Sequence, residues 1–313
     1  MLGAEGSVED GGGEGIETLL VELGANNALQ AVTRLKVNWS DVGYDDLARK
    51  DGFTVWRPSH FADELAQVVA RVREIRARHV IWMTVPHVTI APIARGVGDK
   101  VRPDSRYFPF YTRPWIRTNQ FRRGDDDAIT EQQARAVDSA IDQYNQAIRE
   151  SVADARRDGL DWYLLDLAGL LDRLAARRYY DSPAARPYWW QPYPLPPELA
   201  ALNPPPDSRF FVSGPAGRIQ GGLFALDGVH PTTIAYGIMA QEVIDIMQQH
   251  ARVIFNQRDG VTPRRGPVRV DFGRLLAADT LIAAPPISLD GDLSLIGWCD
   301  QTLDLAGRFL RKK

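Results

Sequence analysis

The sequence predicts an α/β protein built on a parallel sheet. Three short apolar runs carry this reading: residues 16–23 (IETLLVEL), 80–85 (VIWMTV) and 162–167 (WYLLDL). Each has the length of a buried strand, and parallel strands covered on both faces read as continuous hydrophobic runs rather than alternations. The segments between them repeat apolar residues at helical spacing, and strands alternating with helices imply crossover connections. A length of 313 residues suffices for one large domain or two small ones.

Composition excludes several classes of function. The formal net charge of −3 gives no electrostatic case for binding nucleic acid or an anionic membrane. The Arg-rich stretch 71–78 reads as a solvated helix face. Cys299 is the single cysteine, so neither an intrachain disulfide nor a cysteine zinc site can form. No apolar run approaches the length of a membrane span. Residues 1–15 (MLGAEGSVEDGGGEG) are neither a signal peptide nor a strand and read as a flexible glycine-rich segment. A glycine-rich loop leading straight into a buried strand suggests that a preceding part of the domain is missing, which leaves localisation unreadable.

Taken in order, the first run ends in Gly24-Ala25-Asn26-Asn27. A polar turn at the carboxyl end of a parallel strand is where α/β folds place ligands. An asparagine there can offer its amide to a developing oxyanion, or simply form the turn. Phe61, Leu65, Val68, Val69, Val72 and Ile75 then recur at helical spacing, with Ser59 as the expected N-cap. Pro86 and His87 follow the second run; His87 either lines a site or is a satisfied structural histidine. Residues 92–124 read as a long irregular segment. Asp125-Asp126-Asp127 reads as acid near a helix start rather than a metal site, and Thr130 and Gln133 have capping-box spacing. That helix is expected to reach about Arg157, with Val137, Ile141, Tyr144, Ile148 and Val152 on one stripe and Gly159 ending it. After the third run come a short helix at 170–178 and a Pro/Tyr/Trp-rich insertion at 179–206, either a lid or aromatic wall for a ligand or a packed surface loop. Residues 251–313 read as a helical C-terminal extension, with helical pieces at 272–284 and 293–310.

The chemistry gathers at Asp227-Gly228-Val229-His230-Pro231-Thr232, between an apolar run and a helix-like segment at 234–249. An acid three residues before a histidine, across an Asp-Gly turn, can accept a hydrogen bond from the imidazole and stabilise the imidazolium that a general base becomes. The plain alternative is a turn leading into a helix, with Pro in the first turn and Thr232 as cap. His250 at the end of that helix suits the helix dipole and needs no catalytic role.

The order strand, Gly-x-Asn, helix, strand, helix, strand, Asp-x-x-His-Pro, helix resembles the SGNH (GDSL-type) hydrolases, a superfamily of esterases and acylhydrolases. The resemblance spans residues 16–249. It implies a three-layer α/β/α, flavodoxin-like domain over 16–250, with His230 as general base, Asp227 as its orienting acid, and Asn26 with Gly24 at the oxyanion hole. The family usually carries Asp after that asparagine; here the residue is Asn27. The family's nucleophilic serine belongs to a Gly-Asp-Ser block upstream of Gly-x-Asn, and no such block is present. Ser7 has no strand before it, and Ser213 lies on the wrong side of the motif order. The nucleophile is therefore unassigned. The expectation is a truncated or inactive serine esterase, whose strand at 16–23 has an unpaired apolar edge open to self-association. The expected partner is a small-molecule ester, with no cofactor and no metal; the C-terminal extension is a second candidate for self-association. The alternative is a non-catalytic binding module of the same fold, using the Trp/Tyr/Pro segment as a carbohydrate or protein contact surface.

Overall fold

The computed structural model describes residues 15–287. In chain order the elements are β1 (Thr18–Val21), α1 (Asn26–Thr33), the single turn α2 (Leu47–Lys50), α3 (Pro58–Ile75), β2 (His79–Met83), β3 (Arg95–Val97), β4 (Phe110–Thr112), β5 (Ile129–Thr130), α4 (Glu131–Arg157), β6 (Trp162–Leu165), α5 (Leu167–Leu174), α6 (Pro197–Ala200), β7 (Val212–Gly214), β8 (Gly217–Gln220), α7 (Thr233–Gln249), α8 (Phe272–Ala278) and α9 (Thr280–Ala283). The chain is mixed α/β.

The three apolar runs form one parallel sheet in the order β1-β2-β6. Side chains alternate across a strand, and the alternation divides the core. Leu19, Val21, Val80, Trp82, Trp162 and Leu164 face a layer built by α1, α3 and α4. Ile81, Met83, Tyr163 and Leu165 face a second layer with α5, α7 and α8. Helices α3 and α4 share a face because the two crossovers step in the same direction across the sheet and crossover handedness is nearly invariant. Tyr144 of α4 stacks on Phe61 of α3 with centroids 4.1 Å apart.

Local signals explain most element ends. Thr130 and Gln133 close the expected capping box on α4, which ends at Arg157 before Gly159 at φ +83°. Helix α3 starts two residues earlier than expected: Pro58 occupies its first turn and Arg57 is the cap, so Ser59 lies inside the helix. A proline at that position needs no N–H donor, which makes it a good starter.

Three expectations need correction. The strand at 16–23 is not buried. It shortens to Thr18–Val21 at the edge of the sheet, and Leu20 is 48% exposed. Among the described residues β1 pairs only with β2, so its outer edge offers unpaired backbone groups. Residues 92–124 are not wholly irregular, since β3 and β4 lie within them and form, with β5 just beyond, a small antiparallel sheet. Strands of two or three residues carry no readable period; what holds them is packing, with Gly96 lying so close under Phe108 that a Cβ would overlap the ring. The acidic triplet does not open α4, because β5 intervenes; Asp126 instead accepts from the backbone N–H of Arg122 at 2.6 Å.

The C-terminal extension, as far as it is described, packs on α7. Val270, Phe272, Leu275, Leu276 and Ile282 join the second core layer. At Gly237 a Cβ would meet Leu275 at 2.4 Å, so glycine allows α8 to lie against α7. Asp279 is buried, and its carboxylate accepts from the N–H of Ile234 and of Leu281, each at 3.2 Å. It therefore caps both α7 and α9. The helical piece expected at 293–310 and Cys299 lie outside the described residues.

Candidate active site

The Asp227–His230 segment is a closed loop. Ala225 N–H donates to the His230 carbonyl at 2.8 Å, Thr232 N–H to Leu223 at 3.0 Å, and the Thr232 hydroxyl to Gly222 at 2.7 Å. Gly228 forms the tip at φ +67°, where a Cβ would lie 2.8 Å from the Ile93 nitrogen; Ile93 N–H donates to the Gly228 carbonyl at 3.1 Å. Only glycine satisfies both that dihedral and that approach.

This loop folds the acid onto the base. Asp227 Oδ2 lies 2.5 Å from His230 Nδ1, while Oδ1 accepts from the N–H groups of Val229 at 2.8 Å and His230 at 3.0 Å. Burial alone would push the Asp227 carboxyl up. The hydrogen bonds from the imidazole and the two backbone N–H groups outweigh it and hold the group below the usual carboxylate range. An ionised Asp227 fixes Nδ1 as the protonated nitrogen and leaves Nε2 to take a proton. The pair is open to water: the side chains are 69% exposed for His230 and 49% for Asp227.

Asn26 begins α1 just beyond the end of β1. The turn before it requires glycine, since Gly24 has φ +116° and a Cβ there would lie 2.7 Å from Val85. Asn27 belongs to the scaffold. Its carbonyl accepts from Trp56 N–H at 2.8 Å and its amide donates to Glu64 at 3.2 Å. The Asn26 amide has no side-chain hydrogen bond among the described residues.

Gly24, Asn26 and His230 line one cavity of about 370 Å³. It opens beyond the carboxyl ends of β1 and β2, where an open parallel sheet places ligands. Its walls are mostly apolar, supplied by Leu167, Leu170, Leu174, Leu223, Phe224 and Ile238. No serine, threonine or cysteine is among the described residues that line it; Tyr236 carries the one hydroxyl. Ser213 is buried elsewhere, on β7, and donates to the Pro286 carbonyl at 2.5 Å. Ser7 lies outside the described residues.

The other sequence candidates divide differently. His87 borders the cavity, but its ring is held in a buried ion cluster. Nε2 lies 2.9 Å from Asp142, and Nδ1 lies 3.0 Å from Arg178 and 3.7 Å from Asp172. Burial lowers its pKa, yet the field of Asp138 and the hydrogen bonds to Asp142 and Asp172 win and raise it to about 9. Arg178 also pairs with Asp138 at 2.7 Å and Asp172 at 3.1 Å, and it holds Asp138 down at about 2 against full burial. This cluster ties α4, α5 and the 87–89 segment together. It is formed by residues far apart in sequence, and no local pattern announced it.

The Trp/Tyr/Pro insertion does not wall the cavity. Trp190 is buried against Tyr179 and Tyr180 and donates Nε1–H to the Asp172 carbonyl at 2.9 Å, and Tyr193 donates to Glu242 at 2.9 Å. Tyr188 and Trp189 face outward.

Among the described residues no group of three His, Cys, Asp or Glu side chains is placed to hold a metal ion, and no helix is long and apolar enough to cross a membrane. Compared with protein-family models, curated proteins and solved structures, the chain matches none.

Proposed function

We propose that this chain is an ester hydrolase with an SGNH-type arrangement: His230 is the general base, Asp227 orients it, and Asn26 donates to the oxyanion. The observation that carries the reading is that Asn26, near the start of the fold, and His230, near its end, border the same cavity. The three-layer arrangement that the resemblance implies is in keeping with apolar layers on both faces of the sheet.

The family resemblance would supply a serine as nucleophile, and the described lining of the cavity has none. Water is therefore the nucleophile in this proposal. His230 Nε2 takes a proton from water as its oxygen bonds to the ester carbonyl carbon. The carbonyl oxygen becomes the oxyanion that the Asn26 amide stabilises. The carbon–oxygen bond to the alcohol then breaks, and His230 returns the proton to the leaving alkoxide. General-base assistance of this kind contributes about 10²–10⁴-fold. The apolar walls suit a short acyl chain.

The assay is hydrolysis of p-nitrophenyl acetate and butyrate by the wild type and His230→Ala. The proposal expects the rate above buffer to fall roughly 10²-fold in the variant, and equal rates would sink it. A second reading, a binding module without turnover, is favoured by the cavity's lack of a serine, threonine or cysteine. It expects saturable binding of a non-hydrolysable ester analogue with no His230-dependent turnover.

A further inference from the structure

We propose that a second cavity, separate from the His230 cavity, binds a small organic anion. It has a volume of about 200 Å³ and lies between the small antiparallel sheet, the turn after α5 and the start of β7. Five arginines line it: Arg95, Arg106, Arg177, Arg178 and Arg209. Among the described residues, no aspartate or glutamate does.

Two of these charges are already neutralised. Arg178 is held by Asp138 and Asp172, and Arg209 by Asp207 at 2.6 Å and Asp181 at 2.5 Å. Arg106 reaches Asp138 at 3.8 Å. Arg95 and Arg177 have no carboxylate partner among the described residues. They bond only to neutral groups: Arg95 to the Ile116 carbonyl and the Thr118 hydroxyl, Arg177 to the Gly96 carbonyl at 2.9 Å. The Nε atom of each is buried without a partner. Burial lowers both guanidinium pKa values, that of Arg177 to about 10 with Arg95 adding repulsion. Two half-buried cations on one cavity, neither in an ion pair among the described residues, are costly even with the field of Asp181 acting on Arg177, and an anion relieves that cost.

The remaining lining describes the body of the ligand. Ile90, Pro92, Phe108, Tyr111 and Phe210 make the rest of the wall largely apolar and aromatic. A guanidinium fork matches a carboxylate or phosphoryl head. The volume exceeds that of a few waters at about 30 Å³ each. The ligand class is therefore an oxyanion head on an apolar body. The 88–94 segment separates this cavity from the one beside His230: Val88 and Ala91 line the latter, Ile90, Pro92 and Ala94 the former. Gly228 packs against Ile93 and Phe210, so the anion site backs directly onto the acid–base loop.

The test is calorimetric titration of the full chain with benzoate, inorganic phosphate and the neutral control benzamide, in low-chloride buffer. Benzoate is expected to bind saturably, more weakly as sodium chloride is added, and benzamide not to bind. Arg95→Gln and Arg177→Gln should each weaken benzoate at least tenfold, Arg177→Lys less so, with His230→Ala binding as the wild type does. The last variant separates this site from the proposed hydrolase, because the readout needs no turnover. No saturable benzoate binding, binding of phosphate alone, or affinity unchanged in both Gln variants would each overturn the proposal. If a Gln variant does not fold, the salt dependence and Arg177→Lys still decide it.

Discussion

Replacing Asp279 with alanine should loosen the helix that follows the acid–base loop, although Asp279 lies 45 residues beyond the Ile234 N–H that it caps. The first turn of α7 has no side-chain cap from Thr232, whose hydroxyl donates to the Gly222 carbonyl. The buried Asp279 carboxylate fills that role, accepting from Ile234 N–H at 3.2 Å while its other oxygen accepts from Leu281 N–H at 3.2 Å. A helix cap is worth about 1 kcal/mol. Two caps are lost in the variant, and the Ile234 N–H is left buried without a partner, at roughly 1 kcal/mol or more. The expected destabilisation is about 3 kcal/mol, at the upper end of single substitutions. Urea unfolding followed by tryptophan fluorescence reads it as a shift of about 1 M in midpoint for a slope near 3 kcal/mol/M. Asp271→Ala is the comparison. Asp271 is exposed and caps α8 alone through Arg274 N–H at 2.9 Å, so its loss should cost only about 1 kcal/mol. Amide exchange at Ile234 and Ala235 should also speed up in Asp279→Ala and not in Asp271→Ala. An Asp279→Ala unfolding free energy within about 0.5 kcal/mol of wild type, the scatter of neutral surface changes, would refute the double-cap account.

Two further outcomes follow from the same geometry. Gly228→Ala places a side chain at φ +67° and against the Ile93 nitrogen, so it should cost about 1–2 kcal/mol in urea unfolding and lower His230-dependent ester turnover; unchanged turnover would mean that the tip does not set the pair. His87 has its pKa raised from 6.5 to about 9, so its contribution to stability is complete below about pH 6.5 and is lost as pH rises through 9. Unfolding free energy should fall across that window by at most a few kcal/mol, and His87→Gln should flatten the decline; a wild type whose stability rises over the same range would contradict the sign.

How much of this could be read from the sequence depends on distance along the chain. The three parallel strands were legible because each is a compact apolar run bounded by polar or glycine turns. The Asp227–His230 contact was legible because three residues and an Asp-Gly turn leave few other geometries. The capping box on α4 is local in the same sense. The edge position of β1 is not in its sequence, because an apolar run does not say whether it lies at the centre or the edge of its sheet. Strands β3 to β5 leave no mark in the sequence because two or three residues show no period. The Asp279 cap, the Arg178 cluster and the arginine cavity draw residues from segments separated by 40 residues or more, where single-chain pattern has nothing to register. Arg95, Arg106, Arg177 and Arg209 look like scattered surface charge until the fold gathers them.

Under the proposed function Asn26 and His230 act on one ester in one pocket, and a double-mutant cycle measures that most directly. p-Nitrophenyl butyrate hydrolysis would be compared for wild type, Asn26→Ala, His230→Ala and the double variant. An oxyanion donor goes on acting when the general base is removed, because the catalysis left in a base-less site comes from that donor and from binding. Each single variant should therefore be roughly 10²-fold down, and Asn26→Ala should slow the His230→Ala enzyme further. A rate indifferent to either residue in the wild-type background would contradict it.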